Sequence, residues 1–150
     1  MRVWRLCSAR HADLSGKGGT VVSGRWHSAG LPIIYTASNG VLALLEKRVH
    51  SPQNMDDLIL LRIDLPDHSM VPVEPLYDLL PGWARNQELT RTIGDRRLAE
   101  TRSLGLSVPS VLAPEGRNVL LNPQHREMSQ VQIARLEAFR FDERLFGRLN

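Results

Sequence analysis

The 150-residue sequence predicts an α+β fold, with a core of short strands in a mixed β-sheet flanked by helices. Three observations carry that expectation. Apolar runs of strand length, such as Leu58–Leu65 (LILLRIDL), recur between turn signals. Two longer segments, Ser38–His50 and Gln87–Ser103, instead place their apolar residues at helical spacing. Strands and helices do not alternate regularly, which argues against a series of βαβ units.

Composition sets the outer limits. No long polar linker divides the chain, so one domain spanning residues 1–150 is the economical arrangement. A chain of this size buries roughly 68–70% of its unfolded surface, enough for a core without covalent staples. Cys7 is the only cysteine, so neither an internal disulfide nor a cysteine cage for a metal can form. The five histidines are dispersed, with no carboxylate at zinc spacing, and no metal is expected. A net charge of +3 with scattered basic residues fits an anionic small molecule as well as nucleic acid. Scarce aromatics and the lack of an RNA-binding motif disfavour direct nucleic-acid binding. The N-terminus lacks the apolar core of a signal peptide and no run approaches membrane-spanning length, so a soluble, cytoplasmic protein is expected.

Taken in order, Val3–Leu6 alternates as a first strand, with Arg5 facing away from Trp4. Residues 8–20 are too glycine-rich for a helix and lack Walker spacing, which excludes a P-loop. Leu31–Ile34 reads as a short buried strand ended by Tyr35, because Ile33 and Ile34 are β-branched. Ser38 and Asn39 are N-cap candidates for a helix whose apolar stripe is Val41, Leu42, Leu44, Leu45 and Val49. Leu58–Leu65, closed by Pro66, is the candidate for a central strand. The proline-rich stretch 67–82 should wrap the surface, with one helical turn near Pro75–Tyr77 and Trp83 anchoring it to the body. In the second helix Leu89, Ile93 and Leu98 face inward and Arg91, Arg96, Arg97 and Glu100 face solvent, with Gly105 in the C-cap region. Leu106–Leu112, broken by Pro109, then Asn118–Leu121 and Leu136–Phe141 supply the remaining strands; Met128–Ile133 is weakly structured.

The chemistry concentrates in Ser23–Glu46, SGRWHSAGLPIIYTASNGVLALLE. Arg25 follows a glycine and precedes Trp26, which sets a cation on flexible backbone beside an aromatic surface. Glu46 falls on the edge of the helical stripe between Leu42 and Val49. It is either a rim residue reaching water or an acid held at a pocket wall. Read alone, Arg25 stacks on Trp26, Tyr35 is a core tyrosine at a strand end, and Glu46 is a solvated helix residue. Ser110 carries almost no signal, and no Gly-x-Ser-x-Gly elbow supports a serine hydrolase.

Together, Arg25 in SGRW, Tyr35 in IIYTA, Glu46 in LALLE and Ser110 in VPSVL resemble the RES domain family, the toxins of Xre-RES toxin–antitoxin pairs. The opening RVWRL, the GKGG turn and LLNPQH extend the resemblance over essentially the whole chain. At His27 many members carry asparagine. The resemblance implies an ADP-ribosyltransferase-like fold and an enzyme that degrades NAD by hydrolysis or phosphorolysis. It implies catalytic roles for Arg25, Tyr35, Glu46 and Ser110. Arg25 would be the forked donor for the diphosphate and Tyr35 the face for the nicotinamide ring. Glu46 would stabilise the ribosyl cation, and Ser110 would hydrogen-bond the ribose or the nicotinamide amide. Arg5 would be a second phosphate contact, and His125, in NPQH, either a pocket wall or a loop residue. NAD would be consumed as substrate, with no permanently bound cofactor. The partner would be a helix-turn-helix antitoxin of the Xre class that covers the pocket. Two rivals stand beside this: an ADP-ribosyltransferase modifying a protein, and a non-catalytic RNA- or protein-binding module.

Overall fold

A computed structural model describes residues 1–51, 53–69, 71–74 and 80–147. The helical turn expected near Pro75–Tyr77 lies outside the described residues. Strands β1 (Arg2–Ser8), β2 (Ile34–Ala37), β3 (Leu58–Asp64), β4 (Gly105–Pro109), β5 (Arg117–Leu121) and β6 (Gln132–Phe139) form one sheet in the order β4-β5-β2-β1-β3-β6. Every ladder between named strands is antiparallel. An isolated parallel bridge from Val73 to Ser107 extends the β4 edge. Two helices of real length accompany the sheet, α2 (Gly40–Val49) and α3 (Gln87–Glu100), after a single turn α1 (Gly18–Val21).

Sequence and structure part company in instructive places. Tyr35 lies within β2 rather than at its end, because β2 pairs with β5 from Ile34 to Ala37. Leu58–Asp64 lies one place in from the β6 edge, while β2 and β1 take the centre. Asn39 caps α2, its side chain accepting the Leu42 N–H at 2.9 Å. Of the expected apolar stripe only Leu42 is buried, joined by Ala43; Val41 and Val49 are exposed. Helix α2 packs on the sheet through Leu42 and Ala43, against Ala37 and Trp4, and through Leu44, against the cluster of Leu6, Leu58 and Phe141. Its far end is held by the turn Glu143–Phe146, where Arg48 stacks 4.0 Å over the Phe146 ring and donates to Leu145 O.

The core divides across the sheet. One face buries Val3, Ile34, Leu61, Ile63, Val119 and Leu121. The other carries Trp26, Trp83, Leu106, Val108 and Leu120, with Tyr35 and Ile93 packed against them. Trp83 is buried in the body of the protein, its ring 6.0 Å from that of Trp26. Gly105 begins β4 instead of capping a helix; α3 ends at Thr101, whose backbone is left-handed.

Candidate active site

Two local structures hold the residues singled out above. The first is a split in the sheet. Strands β1 and β2 share one registered pair, Trp4 with Ala37. Continued antiparallel pairing would bring Arg5 opposite Thr36 and Leu6 opposite Tyr35, but the strands diverge there. A cleft of about 250 Å³ is lined by Arg5 of β1, Tyr35 of β2, and Gly19, Ser23, Gly24 and His27, among others. A wider depression of about 430 Å³ lies at the exposed end of β1 and β3, against Arg2 and Asp64, and contains none of the expected site residues.

Polar bonds fix one wall of this cleft. The Tyr35 oxygen accepts the Trp26 N–H at 3.1 Å and lies 2.9 Å from His27 Nδ1. Gly24 N–H also donates to His27 Nδ1, at 3.1 Å. A nitrogen facing two donors is the unprotonated one, so Nε2 carries the proton and donates to Gly19 O at 3.2 Å. His27 is 2% exposed and stitches α1 to the Gly24–Ser28 loop. Burial pushes the Tyr35 hydroxyl up to about 12, so its protonated form is the one the fold prefers. Gly24 is needed here, because a Cβ would run into the Tyr35 hydroxyl.

Helix α3 holds the same loop from outside. Thr90 Oγ1 donates to Arg25 O at 2.6 Å, and Arg91 Nε to Gly24 O at 2.7 Å. Asp95 receives both the N–H and the hydroxyl of Ser28, at 2.8 and 2.6 Å. Gly94 lets the Trp26 carbonyl rest directly on the helix. The expectation of a solvated Arg91 is therefore corrected: its guanidinium is half-buried in the loop contact. The most buried residues of α3 are Thr90 and Gly94, whereas Leu89, Ile93 and Leu98 are half-buried. Arg25 itself sends Nη1 to Ala84 O at 2.8 Å, tying the loop to the Trp83–Arg85 turn and using one of its five N–H groups.

The second centre is Glu46. Its Oε1 receives the Ser110 hydroxyl at 2.8 Å and the Asn118 amide at 2.7 Å. Ser110 is 2% exposed and its Oγ accepts Leu112 N–H at 3.1 Å, so its hydroxyl proton is directed at the carboxylate. Both donors are uncharged, so they orient Glu46 without neutralising it. Among the described residues no hydrogen bond reaches Oε2.

The two centres share a sheet face. Tyr35 pairs with Leu120 and Ala37 with Asn118, so Tyr35 and Asn118 are diagonal neighbours. Their Cα atoms stand about 7–8 Å apart by strand geometry. The structure thus joins Glu46 to Ser110, gathers Arg5 and Tyr35 in one cleft, and places Arg25 on the loop behind it. His125 lies apart, capping the turn Arg126–Gln130 by accepting the Glu127 N–H. Asn118 carried no signal in the sequence beyond a place in an apolar strand.

A family model for the RES domain matches residues 2–142. This chain belongs to the RES domain family. Along nearly its full length the RES domain here is similar to proteins named Toxin Res. The one from Pseudomonas putida is 44% identical over 150 residues, 97% of this chain and 100% of that protein. The Toxin Res of Photorhabdus laumondii is 34% identical, over 97% of each chain. The Prs ADP-ribosylating toxin of a Sphingobium species is 30% identical over 95% of this chain and 94% of its own. The chain is a toxin of the RES family. Among solved structures, the M. tuberculosis MbcT–MbcA toxin–antitoxin complex contains a chain that matches with a TM-score of 0.69. The match covers 97% of this chain and 86% of that one at 18% identity, so what it shows is a common fold. The α+β, ADP-ribosyltransferase-like class expected from sequence is borne out. Among the described residues no helix is long and apolar enough to cross a membrane, and no group of three potential metal ligands gathers.

Proposed function

We propose that this RES toxin acts on NAD, breaking the bond between nicotinamide and ribose by hydrolysis or phosphorolysis and so arresting growth. The observation that carries the reading is Glu46, whose Oε1 is held by Ser110 and Asn118 while, among the described residues, no hydrogen bond reaches Oε2. Loss of nicotinamide builds positive charge on the ribose, as in glycoside hydrolysis. A carboxylate fixed by two neutral donors, with no cation paired to it among the described residues, supplies a matching negative charge at no reorganisation cost. In this reading Ser110 acts through Glu46 as a positioning residue, a narrower role than direct contact with ribose or amide.

Tyr35 offers its ring to the cleft, where the nicotinamide end would enter. About 250 Å³ falls below the usual range for sites that enclose a drug-sized ligand. The cleft therefore holds one end of the dinucleotide, with Arg5 and Arg25 reaching the phosphates beyond it. NAD is consumed as substrate, with no cofactor permanently held. The partner in this reading is a cognate helix-turn-helix antitoxin of the Xre class that covers the cleft, in the cytoplasm. The fold shared with a chain of the MbcT–MbcA complex supports an antitoxin.

A second reading, transfer of ADP-ribose to a protein, is favoured by the Sphingobium relative's name. One experiment separates them. Purified toxin is incubated with NAD, with and without phosphate and with a cell extract, and nicotinamide and the second product are followed by mass. Free ADP-ribose, its phosphorylated counterpart, or a modified protein identifies the acceptor. Unchanged NAD in all three arms, with folded protein, removes the assignment.

A further inference from the structure

The ring of His27 lies among three polar groups whose roles chemistry fixes. Gly19 O can only accept, so the Nε2 that lies 3.2 Å from it donates. A neutral imidazole with its proton on Nε2 has a bare Nδ1, which faces the Gly24 N–H at 3.1 Å and the Tyr35 hydroxyl at 2.9 Å. Turning the ring over would set carbon atoms against all three groups and leave each unmatched. Gly24 N–H has a second acceptor in His27 O, at 3.0 Å. Among the described residues the Tyr35 hydroxyl has no acceptor but Nδ1, so its proton points there. Burial raises that hydroxyl to about 12, so at neutral pH the oxygen keeps its proton. A phenol oxygen has one proton and two lone pairs. Here the proton is turned to Nδ1 and one lone pair takes the Trp26 N–H, at 3.1 Å. A single lone pair is left for the cleft that Tyr35 and His27 line.

We propose that His27 is a positioning residue of this cleft. By taking the Tyr35 proton on Nδ1 it makes the Tyr35 oxygen an acceptor towards the ligand, and so selects the primary amide of nicotinamide over the carboxylate of nicotinic acid. With NAD as the substrate, the reading on which this rests, the amide N–H₂ supplies the donor that the lone pair needs. A carboxylate in the same place brings only lone pairs, and two acceptors facing each other leave both unmatched. A ribose hydroxyl can donate or accept, so contact with the sugar would not discriminate. Arg5 lines the same cleft and pulls the other way, by attracting a carboxylate. Its charge is common to every variant of His27, so a change of preference on substitution reports the direction of the hydroxyl.

The test has a spectroscopic arm and a binding arm. With nitrogen-15-labelled histidine in the full chain, the imidazole shifts separate bare from protonated nitrogen, and His27→Asn identifies the His27 signals among the five histidines. A bare Nδ1 is expected; a proton on Nδ1 overturns the proposal, whatever the substrate. Binding of NAD and of its nicotinic-acid counterpart is then measured by calorimetry on a Glu46→Gln background, with circular dichroism to show folding. With His27 in place NAD should bind about tenfold more tightly or better, the worth of one matched hydrogen bond. His27→Asn keeps an acceptor, since Oδ1 stands as many bonds from the backbone as Nδ1, and should keep the preference. His27→Leu has none, so the Tyr35 hydroxyl can turn into the cleft as a donor, and the preference should fall below about twofold or reverse. A histidine that merely packs would move both affinities together and leave their ratio alone. If His27→Leu does not fold, the His27 spectrum and the ratio with His27 in place still decide. Binding of neither dinucleotide removes the NAD reading and this selectivity with it. NAD bound without preference when His27 is present, or with the same ratio in His27→Leu, leaves that reading standing and overturns the proposal alone.

Discussion

Ser110 Oγ donates to Glu46 Oε1 at 2.8 Å, linking the segment after β4 to the middle of α2. Asn118, on β5, donates to the same oxygen. The carboxylate is thus held by the sheet, on which its own helix also rests through Leu42, Ala43 and Leu44. Ser110→Ala removes one of two orienting bonds and leaves Glu46 charged. Turnover of NAD should fall, by up to about 10²-fold given how steeply rate depends on placement, with KM nearly unchanged. Asn118→Ala should do the same. The double variant should lose less than the product of the two, because both act on one group. Steady-state kinetics of the three variants checks this, and strictly multiplicative losses would mean that Ser110 and Asn118 act independently of Glu46.

Tyr35 links the cleft to pH. Burial, partly countered by the Trp26 N–H, raises its hydroxyl from 10.0 to about 12. Above pH 10 an unfolded tyrosine gives up a proton that the folded one keeps. The stabilisation is therefore complete below pH 10 and lost as pH rises towards 12. Tyr35→Phe removes this linkage, but leaves the buried Trp26 N–H without its acceptor, at about 1–3 kcal/mol. The variant should melt lower at neutral pH and show a flatter decline between pH 10 and 12. Parallel slopes for both proteins would exclude Tyr35 as the group that titrates.

Gly94 faces the Trp26 carbonyl so closely that any Cβ would overlap it. Gly94→Ala improves helix propensity by roughly 0.8–1.0 kcal/mol, so on an exposed face it would stabilise. Here overpacking against backbone should dominate, costing about 1–3 kcal/mol or more. The Gly24–Ser28 loop should shift with it. Chemical denaturation measures the sign; a stabilised Gly94→Ala protein would contradict the packing of α3 on the loop.

Arg25→Lys keeps the charge and loses the planar fork. The bond to Ala84 O is a single one that an ammonium can replace, so stability should change little. Affinity for NAD should fall by about tenfold or more if two phosphate oxygens are held at once. Calorimetry on a turnover-deficient background gives the answer, and equal affinity would make Arg25 a tether for the Trp83–Arg85 turn alone.

The strands β1, β3 and β5 and both long helices were legible because each carries a local signal, an apolar run or a capped helical period. Sheet order was not, since the split between β1 and β2 depends on partners distant in sequence. The half-buried place of Glu46 at the edge of α2 followed from helical spacing with Leu42. Its bonds to Ser110 and Asn118 did not, because they cross 64 and 72 residues. Arg91 read as surface charge because spacing cannot tell solvent from a docked loop. The i, i+4 pair Thr90 and Gly94 was the available hint, two small residues on one face of a helix otherwise short of apolar ones. Exposure of Val41 and Val49 had no local signal at all, as periodicity gives the apolar face but not whether anything covers it.

Glu46 is where the proposed chemistry is decided. Glu46→Gln keeps size and shape, and its amide oxygen can still accept from Ser110 and Asn118, so the site should stay assembled and the thermal midpoint near that of wild type. What disappears is the negative charge facing the ribose. That interaction grows as the glycosidic bond breaks, so its loss should appear in kcat and leave NAD affinity little changed. Losses on the order of 10²–10³ in rate are usual when one such electrostatic contact is removed. Growth arrest on expression without an antitoxin should vanish in parallel. The comparison with Ser110→Ala is informative, because a positioning residue should cost less than the charge it positions. A folded Glu46→Gln protein with full turnover and full toxicity would mean that the Ser110–Glu46–Asn118 cluster is structural, and the reacting centre would have to be sought at Arg5 and Tyr35 alone.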